Sequence, residues 1–169
     1  LQMLDGTHLL GIGQEQGDDG QWRQKLSLFD VGDLANPVEL GKVTLQVGES
    51  TAAQWESHAF TWIPEEHLLA IPVSSGSFVM VTTEEGIEIP QSTFTEELLV
   101  LDINLLPTET LLPEIRVAAE IEHDSPVLRS VRLGDYLVSI AETQVKSMAI
   151  SDPGTVVSAL DLPAPGPND

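Results

Sequence analysis

One short pattern occurs three times along this chain, and it limits the folds that the chain can adopt. An aspartate closes the apolar run in two copies, at Asp30 and Asp102, and Ala149 takes that place in the third. Repeated units in one chain indicate that each unit packs against its neighbours instead of forming a separate core. The copies are LSLFDVGD at 26–33, LLVLDIN at 98–104 and VKSMAISD at 145–152.

Each copy lies in the same local context of short apolar runs. A hairpin-like pair of runs leads up to it, and a loop and a further strand-length run follow it. Asp5 and Gly6 in the first unit, and Gly134 and Asp135 in the third, are typical of hairpin turns because such turns need positive φ. Four antiparallel strands in about 45 residues match one blade of a β-propeller.

We therefore predict an all-β fold of β-propeller blades, each with four antiparallel strands and with about three blades present. The best helical signal lies at 51–56, where one or two turns are expected. Three blades are too few to close a ring of roughly four to eight, so we predict part of a larger propeller. Association of copies into a ring and a β-sandwich are the alternatives. The predicted boundaries are a partial propeller at 1–162, with blades at 1–47, 58–121 and 127–162, an insertion at 74–96 and a Pro-rich tail at 163–169.

The balance of charge narrows the classes of partner. Seven basic residues face 27 acidic ones, which gives a formal net charge of −20. Nucleic acid and anionic membranes bind clusters of Lys and Arg, so this composition argues against both. It fits bound calcium, a saline setting or a basic partner, and it also fits a solvated surface that keeps the protein soluble. Cysteine is absent, which excludes disulfides, and no apolar run reaches the roughly 18 residues that span a membrane.

Several stretches of the chain resemble a known family. The stretches QKLSLFDVGDLANPVELGKVTL, SHAFTWIPEEHLLAIPV and VLRSVRLGDYLVSIAETQVKSMAISD are similar, in this order, to secreted β-propeller domain proteins of bacteria and archaea. The C-terminal propeller of that family is distantly related to WD-40 repeats. The resemblance covers nearly the whole chain and implies export to the cell surface or beyond, but it supplies no functional residues. The third unit departs from the pattern, because Ser147 and Ala149 stand where apolar and acidic residues are usual.

A histidine and an arginine are the candidate binding residues of the predicted channel. His58 and Arg129 fall near the start of the first strand of successive blades, and first strands line the central channel of a propeller. Such a pair could hold an anion or a carboxylate-bearing ligand. The alternative is that both side chains are satisfied polar residues of the channel wall.

Two acidic loops are the candidate metal sites. Asp18 and Asp19 precede Gly20 in an expected hairpin loop, and calcium favours oxygen-rich loops of this kind. Glu122, His123 and Asp124 lie between two blades, where a histidine among carboxylates could also hold a metal. Neither stretch has an established metal-ligand spacing, so ordinary loop chemistry is the competing interpretation. No cofactor is predicted, and calcium is the one ion that the composition favours.

The sequence favours a binding or structural scaffold at the cell surface, with the insertion at 74–96 as the expected contact for a protein or glycan partner. The remaining blades of the propeller are a second expected partner. One alternative is a secreted hydrolase whose site lies at the channel mouth, and another is a subunit that assembles through open blade edges. Catalytic motifs such as G-x-S-x-G and H-E-x-x-H are absent, which favours a protein that is not an enzyme.

Overall fold

The chain is built almost entirely of β-strands. A computed structural model describes residues 1–83, 86–105 and 113–163. Within these ranges the strands form three antiparallel sheets, which confirms the predicted all-β fold of propeller blades. In the same ranges no helix is long and apolar enough to cross a membrane. Of the expected Pro-rich tail, only Pro163 belongs to the described residues.

The first sheet, blade 1, has four strands whose order follows the chain. Asp5 shapes the turn between the first two strands, because its carboxylate accepts the backbone N–H groups of Thr7 and His8, each at 2.7 Å. A hairpin therefore lies where the Asp-Gly pair predicts one, but Gly6 does not adopt the positive φ on which that prediction was based, and the carboxylate of Asp5 fixes the turn instead. The strands are β1 (Gln2–Met3), β2 (His8–Gln16), β3 (Trp22–Asp30) and β4 (Val38–Thr44).

The second sheet, blade 2, contains the longest strands of the described chain. Two short strands take its innermost position, and both pair with the first long strand. The weak helical signal at 51–56 corresponds to a 3-10 turn at Ala52–Gln54, and a second such turn follows at Ser57–Ala59. The strands are β5 (Glu49–Ser50), β6 (Thr61–Ile63), β7 (Leu68–Thr82), β8 (Glu88–Asn104) and β9 (Glu114–His123).

The third sheet, blade 3, again has four strands in chain order. Thr61 of blade 2 donates its hydroxyl hydrogen to the carbonyl of Ser130 in the first strand of blade 3, at 2.8 Å. The innermost strands of the two blades are therefore neighbours. The strands of blade 3 are β10 (Val127–Leu133), β11 (Tyr136–Ala141), β12 (Gln144–Ala149) and β13 (Asp152–Asp161).

The three sheets share one backbone geometry at the position of the sequence repeat. In every blade the repeat residue of the third strand pairs with the first residue of the second strand. The next residue then donates its N–H to the turn before the second strand, at 2.8–2.9 Å. Ala149 keeps this geometry without a carboxylate because the pairing uses backbone groups alone. The pairs are Asp30 with His8, Asp102 with Leu68 and Ala149 with Tyr136, and the donors are Val31, Ile103 and Ile150.

Two hydrophobic cores lie between neighbouring blades, and blade 2 contributes to both. Successive residues of a strand point to opposite faces, so Leu99 and Leu101 pack with blade 1, whereas Leu98 and Val100 pack with blade 3. Both faces of this part of β8 are buried, which explains why the run is apolar without alternation. The main partners are Leu10, Leu26 and Leu28 in blade 1 and Leu137, Met148 and Ile150 in blade 3.

A glycine in the turn between β10 and β11 gives a direct test of the hairpin geometry. Gly134 has φ of 60°, and a Cβ added there meets nothing within 4 Å, so only the backbone conformation opposes a side chain. We expect Gly134→Ala to lower the free energy of unfolding by about 1 kcal/mol, because the left-handed region is unfavourable for L-residues. Urea denaturation measures this difference.

Gly6→Ala is the matched control for the turn substitution. A Cβ at Gly6 also meets nothing within 4 Å, but its backbone is not left-handed. We expect its free energy of unfolding to change by less than about 0.5 kcal/mol. Equal losses in the two variants would contradict the left-handed turn at Gly134.

Candidate functional site

His58 lies in the second 3-10 turn of blade 2, three residues before β6, and not within the first strand itself. Its side chain is 78% exposed, and Nδ1 lies 2.8 Å from Oε1 of Glu56. The same oxygen accepts the backbone N–H of His58 at 3.0 Å, and these two contacts lower the pKa of Glu56. His58 is therefore held at the surface by a local contact with its neighbour.

Arg129 lies on β10, where it pairs with Ile140 and is exposed. The hydrogen bond between Thr61 and Ser130 joins the innermost strands of blades 2 and 3. Arg129 lies on the same face of β10 as the exposed Val131, which is opposite to the face of the buried Ser130, so the strand register does not direct it toward His58. Anion binding by this pair stays a prediction, as does hydrolase chemistry at the channel mouth.

Asp18 and Asp19 lie in the turn between β2 and β3. Asp19 forms a bidentate ion pair with Arg23, with oxygen–nitrogen distances of 2.9 and 2.6 Å, and it accepts the N–H of Gln21 at 3.0 Å. The pKa of Asp19 is lowered, chiefly by the hydrogen bonds from Arg23. Both oxygens of Asp19 are thus engaged within the turn, whereas Asp18 beside it is exposed.

The three candidates at the end of β9 do not face one another. Strand alternation buries His123, with 7% of its surface exposed, and exposes Glu122, while Asp124 follows in the exposed linker to blade 3. Among the residues that the structure describes, no three His, Asp or Glu side chains are grouped to hold a metal ion. Calcium binding by either acidic loop stays a prediction.

His123 instead connects blade 2 to blade 3 by a buried hydrogen bond. Its Nε2 lies 2.8 Å from the hydroxyl oxygen of Ser139, and its Nδ1 has no hydrogen-bond partner among the described residues. The pKa of His123 is lowered to about 4, chiefly by burial and also by the charge of Lys146, whereas Asp124 acts in the opposite direction. The imidazole is therefore neutral at physiological pH, with one ring nitrogen left as an acceptor.

A cavity of about 670 Å³ opens beside His123 and was not predicted from the sequence. Glu96 is the cross-strand partner of His123, so the two side chains share one face of the sheet. Ser74 donates its hydroxyl hydrogen to Oε2 of Glu96 at 2.6 Å. The described lining consists of Phe94, Glu96, His123, Asp124, Ser125 and Pro126.

The cavity lies at the base of a projecting hairpin. We call the segment 74–96 the arm, of which the structure describes 74–83 and 86–96. Among the described residues, β9 pairs with β8 no further than Glu96, so the arm continues beyond the blade. The ring of Phe94 covers Gly76 across the hairpin, since a Cβ on Gly76 would lie 3.3 Å from its Cε1 atom. Phe94 is nevertheless 73% exposed, and Met80 is 60% exposed.

A second cleft lies on β9 and is lined by three glutamates together with Lys146. Glu97 is the cross-strand partner of Glu122. Glu120 lies two residues before Glu122 on β9 and therefore on the same face of the sheet. The pKa of Glu97 is raised to about 7, chiefly by burial and also by repulsion from Glu120, Glu49 and Glu122. The sequence does not reveal this group, because acidic residues are abundant and only the strand register shows which of them lie opposite each other.

Two relatives that match part of the chain are both described as uncharacterized proteins. An uncharacterized protein of Methanocaldococcus jannaschii is 35% identical over 89 residues, which are 53% of this chain and 14% of that protein. An uncharacterized protein of Archaeoglobus fulgidus is 28% identical over 89 residues, 53% of this chain and 13% of that protein. The chain thus matches only a small part of the length of these relatives. No solved structure matches it.

The family assignment rests on the whole set of blades. A family model described as a beta propeller domain matches residues 1–153, which include blades 1 and 2 and most of blade 3. The match agrees with the three antiparallel sheets and with their common backbone geometry. The chain belongs to the beta propeller domain family.

Proposed function

We propose that this chain is a binding scaffold in which rigid blades hold the arm out toward a partner. The observation that carries this proposal is the projection of β7 and β8 beyond the blade with apolar side chains exposed. Val79, Met80, Ile89 and Phe94 each expose at least 44% of their surface. Clustered exposed apolar side chains on a rigid element are typical of interaction surfaces.

The proposed setting is the outside of the cell. It rests on the resemblance to secreted β-propeller proteins and on a net charge of −20, which suits a medium rich in cations. In this setting the partner is a protein or a glycan. Protease treatment of intact cells tests the setting, because digestion of the chain is expected only if it is exposed outside.

Trimming of the arm tests the scaffold proposal. Replacing residues 78–92 by Asn-Gly would join Ser77 to Thr93 through a two-residue hairpin turn, and the hydroxyls of these residues already lie 2.7 Å apart. We expect the tagged trimmed chain to retain its melting temperature but to capture at least about tenfold less cross-linked partner than the intact chain. Equal capture of the same partner by both chains would contradict the proposal.

A second candidate role, completion of a ring by further blades, is favoured by the outer face of blade 3. This face is apolar and exposed, whereas in a closed propeller it would pack against another blade. Val131, Leu133, Tyr136 and Leu160 are exposed by 40%, 69%, 45% and 63%. Their cross-strand partners include Val138 and Val145, so the apolar residues form a continuous surface. We propose that a blade from the rest of the protein, or from a second copy, covers it.

A further inference from the structure

The cavity at the base of the arm is lined mainly by groups that accept hydrogen bonds. Glu96 lies on β8, Asp124 lies in the linker between blades 2 and 3, and both line the cavity. His123 forms the buried wall between them, and its Nδ1 has no partner among the described residues. The hydroxyl of Ser139 lies 3.4 Å from the carbonyl of Lys146, so it can donate there and accept from Nε2 of His123. Nδ1 is then an acceptor without a donor.

The charged side chains that line the cavity are negative. Its described lining contains the carboxylates of Glu96 and Asp124 and no Lys or Arg. Lys146 acts on His123 from blade 3, but its ammonium donates to the carbonyl of Glu122 at 2.6 Å. A cationic side chain that enters the cavity therefore meets two carboxylates.

Apolar surface adjoins these carboxylates. Phe94 and Pro126 belong to the lining, and the ring of Phe94 lies over Gly76. Met80 lies further along the same face of the arm, since residues at even positions of β7 and β8 share that face. A ligand with a positive head and an apolar body would match this arrangement, and a cation can also contact the face of the aromatic ring.

We propose that the cavity binds a Lys or Arg side chain of a protein segment whose neighbouring apolar residues pack on Phe94 and Met80. This inference rests on the proposed function of the arm and names the chemistry of its partner. An acidic or phosphorylated segment would be repelled by Glu96 and Asp124. A bare metal ion lacks the apolar body that the adjoining surface accommodates.

A labelled peptide of ten residues that alternates Leu and Lys is the probe. Fluorescence anisotropy compares its binding to the intact chain and to the double variant Glu96→Gln/Asp124→Asn. We expect the double variant to bind at least about tenfold more weakly, because two charge-assisted contacts are lost while the shape is kept. A peptide with Ser in place of each Leu should bind the intact chain several-fold more weakly.

Asp135→Asn/Asp152→Asn is the matched control, because it removes the same charge at exposed positions outside the cavity. Its affinity should stay within about twofold of the intact chain. Equal weakening by both double variants would show general attraction to an acidic protein and would overturn the inference, as would no binding by the intact chain. If Glu96→Gln/Asp124→Asn does not fold, Asp124→Asn alone, in the exposed linker, should still weaken binding about threefold.

The trimmed arm separates this inference from the proposed function. Residues 78–92 are removed in that variant, whereas every described lining residue of the cavity is kept. If trimming abolishes partner capture but Glu96→Gln/Asp124→Asn binds the peptide normally, the arm functions without the cavity and the inference is wrong. If the cavity variant alone loses the peptide and trimming leaves partner capture unchanged, the cavity binds the cationic side chain, whereas packing on Met80 and the role of the arm are wrong.

Discussion

Leu101→Ala is expected to lower the free energy of unfolding by about 3 to 5 kcal/mol. Leu101 is fully buried in the core between blades 1 and 2, where it lies among Leu69, Ile103 and leucines of blade 1. Removing its side chain loses buried apolar surface and leaves a cavity, because sheets held by strand pairing on both sides of β8 relax little. A loss of this size is a large fraction of the stability of a domain.

Urea denaturation followed by circular dichroism measures this loss. Leu34→Ala is the matched control, since Leu34 is 86% exposed in the loop between β3 and β4. Its free energy of unfolding should change by less than about 0.5 kcal/mol. If Leu101→Ala were as stable as Leu34→Ala, the packing of blade 1 on blade 2 would be wrong.

Glu97→Gln is expected to stabilise the protein by about 1 to 2 kcal/mol at pH 8 and to have no such effect at pH 4. Glu97 is half-buried and faces Glu122 and Glu120 on β9, with Glu49 nearby on β5. An amide keeps the shape of the side chain and removes the negative charge. The expected gain is smaller than the full pKa increase implies, because solvent screens part of the repulsion.

The direction of this pH dependence follows from proton uptake. The pKa of Glu97 is about 7 in the folded chain, against 4.5 for an unperturbed glutamate. Between these two values the folded state holds the proton more strongly than the unfolded state. The stability associated with the neutral carboxyl is therefore fully present below about pH 4.5 and is lost as the pH rises through 7.

Melting temperatures recorded from pH 4 to pH 8 test this expectation, with Glu142→Gln as the control. Glu142 is exposed in the turn between β11 and β12, so its substitution should leave the pH profile of the wild-type chain unchanged. Glu97→Gln should flatten that profile between about pH 5 and pH 8. Parallel profiles for wild type and Glu97→Gln would contradict the arrangement of carboxylates on β8 and β9.

The repeated unit of short apolar runs, together with the residues typical of turns, was enough to predict the class of fold. The runs that contain Asp30 and Asp102 are short, apolar and closed by turns, and their equivalence is visible because the same backbone geometry recurs in each blade. Ala149 shows the limit of a residue match, since it occupies the repeat position without the carboxylate. The backbone pairing of Ala149 with Tyr136 keeps the geometry of the blade although the side chain differs from aspartate.

The candidate binding site could not be predicted in the same way, because it depends on strand register. Glu96 and His123 are 27 positions apart, and only the pairing of β8 with β9 places them opposite each other. The prediction for 122–124 was based on sequence neighbours, which alternate between the two faces of a strand. The sequence of the arm nevertheless carries a usable signal, because Phe94, which is exposed, stands between Thr93 and Thr95.

Light scattering over a range of concentrations tests most directly whether these blades are part of a larger ring. With the outer face of blade 3 uncovered, we expect the isolated chain to have a mass above that of a monomer, increasing with concentration. Val131→Lys/Leu160→Lys places charge on that face and should return the chain to a monomer of unchanged circular dichroism. A wild-type chain that stays monomeric at every concentration would contradict the account, because its apolar face would then need no further blade.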